Sequence, residues 1–430
     1  MEQTWIKDLH KCVGEEVLIK GWVYNLRSSG KIAFVQVRDG SGFGQVIASQ
    51  DELDDKIWKD VQKITIETSV EITGLVSKHP KKEEYEVQMS GIKIVDIAED
   101  WPLGKKEHGP DFLLSNRHLW LRSPKQWAIQ RVRNVAINAI YEYLNKEGFI
   151  KIDAPILTPN ACEGTTTLFD LDYFDQGKAY LTQSGQLYIE AAIFSVGRCF
   201  DFGPVFRAEK SKTRRHLTEF WMMDAEAAFV EHAESMKIQE GNIRYVVRQV
   251  LAKCQTELAI LERDVEALKK VDNDFKVMSY DETIKYLNEN GSDIKYGEDL
   301  GADDETILTS KSDVPIFVDK WPKEIKAFYM KINPANPALV LNNDLIAPEG
   351  YGEVIGGSQR EDNYDLLLER MQQEKLPIDD YRWYLDLRKY GSVPHSGYGI
   401  GLERLVGWMC GTKHVRETIP FPRMLKRIYP

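Results

Sequence analysis

The segment 206–220, FRAEKSKTRRHLTEF, contains the residue types and spacing that best suit chemistry on a charged ligand. Strand-like apolar runs flank it, which predicts an antiparallel hairpin with a polar loop. Because side chains alternate along a strand, Arg207 and Glu209 share one face of the first strand. On the returning strand one face carries Phe220, Met222, Asp224 and Glu226. If the faces coincide, a guanidinium, carboxylates and an aromatic ring converge, which suits a ligand with a planar base, phosphates and an amino group.

The loop of this hairpin is strongly basic in a chain whose net charge is −11. Its cations are Arg207, Lys210, Lys212, Arg214 and Arg215. A solvated surface loop is the usual role of such a charge run. The segment alone therefore leaves a solvated loop and an anion-binding loop as equal alternatives.

Two further patterns near the C-terminus could contact phosphates. Asp344 and Glu353 flank a turn at 348–350, and a carboxylate pair could hold Mg²⁺, which also takes phosphate and water ligands. Arg404 lies where a Gly-rich strand, GYGIG, meets a helix, so its guanidinium could stack on a planar group or pair with a phosphate. Surface solvation and a helix-surface ion pair are the respective alternatives.

Residues 16–100 predict a different kind of site. They contain five short β-rich runs, which favour a small closed barrel of the oligonucleotide-binding type. Arg27, Phe34 and Gln45 lie on or beside the first three runs. An aromatic ring with a nearby cation and amide can stack on and hydrogen-bond an unpaired base. Core packing is the alternative for Phe34.

Composition limits the class of protein. At 430 residues, with 43% hydrophobic and 29% charged residues, the chain predicts a globular protein of two or three domains. We find no apolar run long enough to span a bilayer, and the first residues lack the pattern of a secretory signal. The five cysteines have no paired spacing, which argues against a zinc site or a disulfide framework. We therefore expect a cytoplasmic protein without a membrane partner.

The remaining chain predicts the elements that position these residues. Ser123 and Pro124 should cap and begin a long amphipathic helix that Gly148 ends. Residues 231–325 are polar and helical, and we expect them to be a structural insertion without chemistry. The predicted boundaries are an oligonucleotide-binding domain at 1–100, a linker at 101–122 and a catalytic domain at 123–430.

The motifs together resemble one family. The chain lacks GxxxxGK[ST], HExxH and GxSxG, which argues against the corresponding nucleotide-loop, zinc-protease and serine-hydrolase sites. FRAE with its basic loop and RHLTEF, the closing GIGLERL, and a long helix leading to Pro155 resemble the three motifs of class II aminoacyl-tRNA synthetases. The resemblance implies an α+β multidomain fold, with a five-stranded barrel followed by a catalytic domain built on an antiparallel sheet flanked by helices.

Within that family the chain resembles the subgroup of aspartyl, asparaginyl and lysyl enzymes, and the asparaginyl members in particular. The motifs that resemble those of the asparaginyl members are GGSQRE, SGQL, SVPHSGYGIGLERL and IPFPR. Aspartyl enzymes usually carry a lysine where this chain has Ile189, and an unmatched buried carboxylate is costly. One departure is Asp224, where asparaginyl enzymes usually have Glu. The alternatives are an aspartyl enzyme and, less favoured, an asparagine synthetase paralogue of this catalytic fold.

The resemblance implies a role for each candidate residue. Arg207 and Arg404 are the expected catalytic cations. The expected ATP-binding residues are Arg207, Glu209, Arg215, His216, Phe220, Glu353 and Arg404, and Asp344 and Glu353 are the expected Mg²⁺ ligands. The expected amino-acid-binding residues are Glu163, Ser184, Gln186, Asp224 and Arg360. Arg27, Phe34 and Gln45 fall on anticodon-reading positions. The implied partners are ATP, asparagine, tRNA and a second copy of the chain joined through the helix at 124–147.

Overall fold

The computed structural model describes residues 1–104, 106–162 and 167–430. The chain forms two compact units, Met1–His108 and Gly109–Pro430. Each unit has its own core. Within the described residues, no helix is long and apolar enough to cross a membrane.

The first unit is a closed barrel, which confirms the predicted five-stranded fold. Its elements are β1 (Glu16–Ser29), β2 (Ile32–Arg38), β3 (Phe43–Ser49), α1 (Asp55–Val61), β4 (Ser69–Lys78) and β5 (Tyr85–Asp96). In the described residues the strand order is β1–β2–β3–β5–β4, and β3 pairs with β5 in parallel. Alternating side chains fill the interior, including Val35, Val37 and Val46, which are fully buried.

The outer face of this barrel carries the three predicted base-contacting residues. Arg27 of β1 is directly opposite Phe34 of β2, and Gln36 of β2 is opposite Gln45 of β3. Because Ala33 and its alternating neighbours on β2 point into the core, Phe34 must point outward. Phe34 is half-buried and does not belong to the barrel core.

The second unit combines one large sheet with helices. Its strands are β6 (Ile150–Lys151), β7 (Leu157–Thr158), β8 (Asp170–Asp172), β9 (Lys178–Leu181), β10 (Arg198–Phe206), β11 (Glu219–Ala228), β12 (Lys276–Ser279), β13 (Ile316–Asp319), β14 (Asn342–Ala347), β15 (Gly352–Gln359) and β16 (His395–Gly401). Its helices are α2 (Pro110–Ser115), α3 (Arg117–Trp120), α4 (Pro124–Lys146), α5 (Gln186–Val196), α6 (His232–Lys253), α7 (Gln255–Ile260), α8 (Val265–Lys269), α9 (Tyr280–Glu289), α10 (Ala302–Thr309), α11 (Tyr364–Gln373), α12 (Arg382–Asp386) and α13 (Leu402–Cys410).

The large sheet is mostly antiparallel, and the predicted hairpin lies near one of its edges, between β16 and β6. Among the described strands its order is β12–β13–β14–β15–β16–β11–β10–β6, with parallel pairs only at its two edges. Strands β10 and β11 pair without interruption from Arg198 opposite Ala227 to Phe206 opposite Glu219. Apolar side chains of α4, α6 and α13 pack on the sheet in one core. The sheet therefore gives the hairpin a rigid support.

Helix α4 begins and ends as its sequence predicts. The side chain of Ser123 accepts a hydrogen bond from Gln126 N, and Pro124 is the first helical residue. Gly148 follows the helix with φ +81°, a conformation that favours glycine. The run before Pro155 forms only the short strand β6, and β7 follows the proline in a different sheet. Pro155 lies between them and has no N–H to extend a ladder.

Two predicted segments differ from the structure. Residues 231–325, expected to be a helical insertion, also supply β12 and β13 to the large sheet. The boundary between the units lies at His108, inside the segment expected to be a linker. Arg117 of that segment is fully buried and donates to the carbonyl oxygens of Pro420, Glu417 and Ile419. These bonds join the second half of the segment to the second unit, and sequence periodicity does not reveal them.

Candidate functional site

The β10–β11 hairpin brings Arg207 and Phe220 to one cavity of about 310 Å³. Arg207 directly follows β10, and its N–H donates to Thr218 O at 2.9 Å. Its guanidinium donates to the carbonyl oxygen of Gln183 and lies 5.8 Å from the ring centroid of Phe220. The side chain is therefore held at the cavity edge, with an aromatic face beside it.

Glu209 contributes an unusual carboxylate to the same cavity. Both of its oxygens are buried, and neither has a hydrogen-bond partner among the residues that the structure describes. Desolvating a carboxylate without donors is unfavourable. A ligand that supplies a hydrogen-bond donor here, such as the amino group of a planar base on Phe220, would compensate for that cost.

Arg404 lies across the cavity, at the predicted junction of β16 and α13. Its Nη1 atom donates to Glu353 O at 2.8 Å and to Glu353 Oε2 at 3.2 Å. Glu353 belongs to β15, so the arginine is fixed against the sheet. The cavity is thus lined by two arginines and an aromatic ring, residue types that suit a nucleotide.

Arg215 and His216 also line this cavity, and the terminal nitrogens of Arg215 already have partners within the protein. Its terminal nitrogens donate to Glu305, to Thr306 Oγ1 at 2.8 Å and to Gly350 O at 2.5 Å. Burial lowers the pKa of His216, the charge of Glu209 opposes this shift, and Arg404 and Arg207 add to it. We therefore expect a neutral imidazole at neutral pH.

A second cavity adjoins the first, since Met222 lines both. It contains the predicted amino-acid-binding residues Ser184, Gln186, Asp224 and Arg360. Asp224 Oδ2 accepts hydrogen bonds from Ser184 Oγ and Gly185 N, each at 2.9 Å. These bonds fix the carboxylate against the start of α5. Glu163 is outside the described residues.

Arg360 forms the polar end of the second cavity. Its Nε atom donates to Glu226 Oε1 at 2.9 Å, its Nη2 donates to the same oxygen, and its Nη1 donates to Ser358 Oγ at 2.6 Å. Both partners of the Arg360–Glu226 pair are almost fully buried. Burial raises the pKa of Glu226, and the neighbouring Arg360 opposes that rise. Glu226 therefore compensates most of the positive charge of Arg360 before any substrate binds.

The carboxylates of Asp344 and Glu353 face a common space near Gly356. A Cβ atom at Gly356 would lie 3.1 Å from Glu353 Oε1 and 3.9 Å from Asp344 Oδ1, so only glycine leaves that space open. Lys326 Nζ donates to Asp344 Oδ2 at 2.8 Å. Two carboxylates on adjacent strands are a donor set that fits Mg²⁺ bound mainly by phosphates and water. Clusters of three or more metal-binding side chains are absent from the described residues.

Sequence patterns did not identify several contacts of the site. Glu226 was placed on the correct strand face, but its pairing with Arg360 joins residues 134 positions apart. Glu305 and Lys326 lie in or next to the segment expected to lack chemistry, yet they contact Arg215 and Asp344. Hydrophobic periodicity contains no signal for such pairs, because they depend on tertiary proximity.

On the first unit, Arg27, Phe34 and Gln45 form part of an outer face suited to single-stranded nucleic acid. Arg27 is exposed beside Phe34, and Gln45 Nε2 donates to Glu86 Oε1 at 2.5 Å. Asn25 and Gln36 contribute a further amide pair, joined at 3.2 Å. Aromatic and amide groups on one strand face suit stacking on, and hydrogen bonding to, unpaired bases.

Comparisons with known proteins agree with this arrangement. Residues 109–425 match the family model of class II tRNA synthetases (D, K and N), and residues 17–95 match that of the OB-fold nucleic acid binding domain. Asparaginyl-tRNA synthetase from Pyrococcus horikoshii, solved with asparaginyl-adenylate, is 42% identical over 100% of both chains, with a TM-score of 0.96.

Two more distant structures have the same architecture. The Entamoeba histolytica asparaginyl-tRNA synthetase, also solved with asparaginyl-adenylate, is 33% identical over 97% of both chains, with a TM-score of 0.87. The aspartyl tRNA synthetase of the same organism is 25% identical, covering 100% of this chain and 93% of that chain, with a TM-score of 0.84. Identity is thus higher to the asparaginyl than to the aspartyl enzyme of that organism.

Proposed function

The chain belongs to the class II tRNA synthetase family of the aspartate, lysine and asparagine enzymes, and on that premise we propose that it is an asparagine–tRNA ligase. It activates asparagine with ATP and transfers it to tRNA, releasing pyrophosphate and AMP. The observation that carries the proposal is the pair of adjoining cavities. One has the unpaired carboxylate of Glu209 beside Phe220, and the other ends at the compensated Arg360.

The first step joins the amino acid to the nucleotide. An oxygen of the asparagine α-carboxylate attacks the α-phosphorus of ATP, and pyrophosphate leaves. No protein nucleophile is required, so the side chains act by positioning and by stabilising charge. Arg207 bridges the two reacting anions, Phe220 and Arg404 sandwich the adenine, and Glu209 accepts from its amino group. Arg215 and His216 are proposed for the outer phosphates, and Ser184 and Gln186 for the substrate α-amino group.

Asp344 and Glu353 are proposed to hold Mg²⁺ at the junction of the two cavities. The ion, when bound, offsets the negative charge of the phosphates. Lys326 is proposed to orient the carboxylate of Asp344 through its hydrogen bond to it. The glycine at 356 leaves room for the ion's ligands.

The charges of the second cavity favour asparagine over aspartate. Arg360 is already paired with Glu226, and Asp224 adds a negative charge that can accept from a carboxamide NH₂. An aspartate carboxylate would face that negative charge, and a poorly matched buried charge is costly. Ile189, where the aspartyl motif has lysine, is fully buried and apolar.

The second step transfers the amino acid to tRNA. The terminal ribose hydroxyl attacks the carbonyl carbon of the adenylate, and AMP leaves. The outer face of the barrel is proposed to bind the anticodon through Arg27, Phe34 and Gln45. Stacking on Phe34 supplies affinity, and the neighbouring amides supply hydrogen bonds that differ between bases.

The proposal includes a homodimer and a cytoplasmic location. The helix at 124–147 remains the proposed contact with the second copy. The exposed apolar side chains of Ile156, Leu157 and Phe169 are further surface that a second copy could cover. All five cysteines are free thiols, which agrees with a reducing compartment. Equilibrium sedimentation should give twice the mass of the chain.

Aminoacylation of total tRNA tests the proposed function. The purified protein, supplied with ATP, Mg²⁺ and a mixture of amino acids, should attach asparagine alone. Mass analysis of the amino acid released from tRNA by mild base identifies the product. Release of aspartate, or of no amino acid, would contradict the proposal.

A further inference from the structure

Helix α10 contacts a residue of the nucleotide cavity, Arg215, through Glu305. The terminal nitrogens of Arg215 donate to this carboxylate, to Thr306 Oγ1 and to Gly350 O. Arg215 is only 8% exposed, so it is a buried cation whose position depends on these partners. Removing one partner of a buried ion pair is strongly unfavourable, which makes the pairing a persistent feature.

One nitrogen of Arg215 has no hydrogen-bond partner among the described residues. This nitrogen, Nε, is buried, although the side chain lines the nucleotide cavity. Because Glu305, Thr306 and Gly350 hold the terminal fork, the plane of the guanidinium is fixed. The direction of the Nε–H is then fixed as well. A buried donor without an acceptor is a place for an anionic ligand atom.

The same carboxylate also contacts the strand that carries Glu353. Glu305 Oε1 accepts from the backbone N–H of Glu353 at 3.2 Å, and Glu353 in turn binds Arg404. The packing is tight, since a Cβ atom at Gly352 would lie 2.7 Å from Arg215 Nη1 and would collide with Glu305. Gly352 has φ +84°, so its conformation also favours glycine. One side chain thus connects three cavity residues.

We propose that Glu305 is a positioning residue for the nucleotide phosphates, which orients the free Nε–H of Arg215 and fixes the strand that carries Glu353. The inference rests on the proposed ATP-dependent function of this cavity. It assigns a role to a helix of the segment that sequence patterns left without chemistry.

Three variants test the inference. Glu305→Gln keeps the shape but removes the charge that holds Arg215. Thr306→Val removes one acceptor and leaves the ion pair intact. Asp303→Asn, at an exposed position of the same helix, is the matched control. For each variant, binding of Mg²⁺–ATP is measured by titration calorimetry, and the KM values for ATP and asparagine are measured by pyrophosphate exchange.

We expect Glu305→Gln to weaken ATP binding and raise the KM for ATP by about tenfold to a hundredfold, with the KM for asparagine little changed. Thr306→Val should shift the same quantities by about two- to tenfold, and Asp303→Asn should not shift them. A purely structural role would lower the melting temperature and the active fraction of enzyme while leaving the affinity of the active fraction for ATP unchanged.

Unchanged or tighter ATP binding in Glu305→Gln would overturn the inference. If that variant does not fold, Thr306→Val decides, and an ATP affinity equal to that of the control variant would overturn it. Calorimetry separates this result from failure of the proposed function, because ATP binding is measured without asparagine or tRNA.

Discussion

Because the carboxylate of Glu209 has no hydrogen-bond partner in the described part of the chain, replacing it with an amide should affect stability and ATP binding in opposite directions. The change Glu209→Gln keeps the size of the side chain and removes its charge. In the ligand-free protein both oxygens are buried without donors, so the wild-type carboxylate carries an unfavourable desolvation cost. A neutral amide has a smaller cost. The variant should therefore unfold at the same temperature as the wild type or at a higher one.

ATP binding should change in the other direction. A hydrogen bond to a charged acceptor contributes about 1.5–3 kcal/mol, which corresponds to about tenfold to 150-fold in affinity. The amide also presents an NH₂ group toward the adenine amino group, where an acceptor is required. We expect the KM for ATP in pyrophosphate exchange to rise by that factor, while the KM for asparagine remains near its original value.

Two measurements on the same samples check this reasoning. Differential scanning calorimetry gives the unfolding temperature, and pyrophosphate exchange gives both KM values. Glu231→Gln, at an exposed position just after β11, is the matched control and should change neither. A lower unfolding temperature together with an unchanged KM for ATP would refute the reasoning, because it would make Glu209 a structural residue.

Three further predictions concern other parts of the site. Arg207→Ala should slow pyrophosphate exchange by about 10²–10³ without unfolding the protein, and near-normal exchange would exclude its proposed role. Phe34→Ala should weaken tRNA charging by about 1–3 kcal/mol and leave exchange without tRNA unchanged; a loss of exchange would show that Phe34 is structural. Burial raises the pKa of Asp344 to about 7, with Glu353 adding to the rise and Lys326 opposing it, so protons should compete with Mg²⁺. The Mg²⁺ concentration for half-maximal exchange should therefore rise as the pH is lowered from about 8 to about 6. A Mg²⁺ concentration that does not change with pH would contradict the role of Asp344 as a Mg²⁺ ligand.

Local patterns predicted the parts of the fold that depend on neighbouring residues. Short β-rich runs predicted the barrel strands, and strand-like runs joined by a polar loop predicted the hairpin β10–β11. The Ser123 cap and Gly148 marked the ends of α4 correctly, since both act within one helical turn. Motif resemblance then located Arg207, Phe220 and Arg404 in one cavity.

The contacts that determine charge in the site could not be predicted in this way. Glu305 lies ninety positions after Arg215, and Lys326 lies eighteen positions before Asp344. Each pair forms because separate strands or helices meet in space, and the residues around them have ordinary helical or polar patterns. For the same reason, β12 and β13 were not expected in the large sheet: their neighbours in sequence are helical.

Pyrophosphate exchange with asparagine and aspartate in parallel is the most direct test of the proposed preference for asparagine. The wild-type protein is incubated with ATP, Mg²⁺ and labelled pyrophosphate, and each amino acid is added separately over a range of concentrations. The charge arrangement of Asp224, Glu226 and Arg360 predicts exchange with asparagine and little or none with aspartate. Exchange supported by aspartate alone would contradict the proposed activation of asparagine.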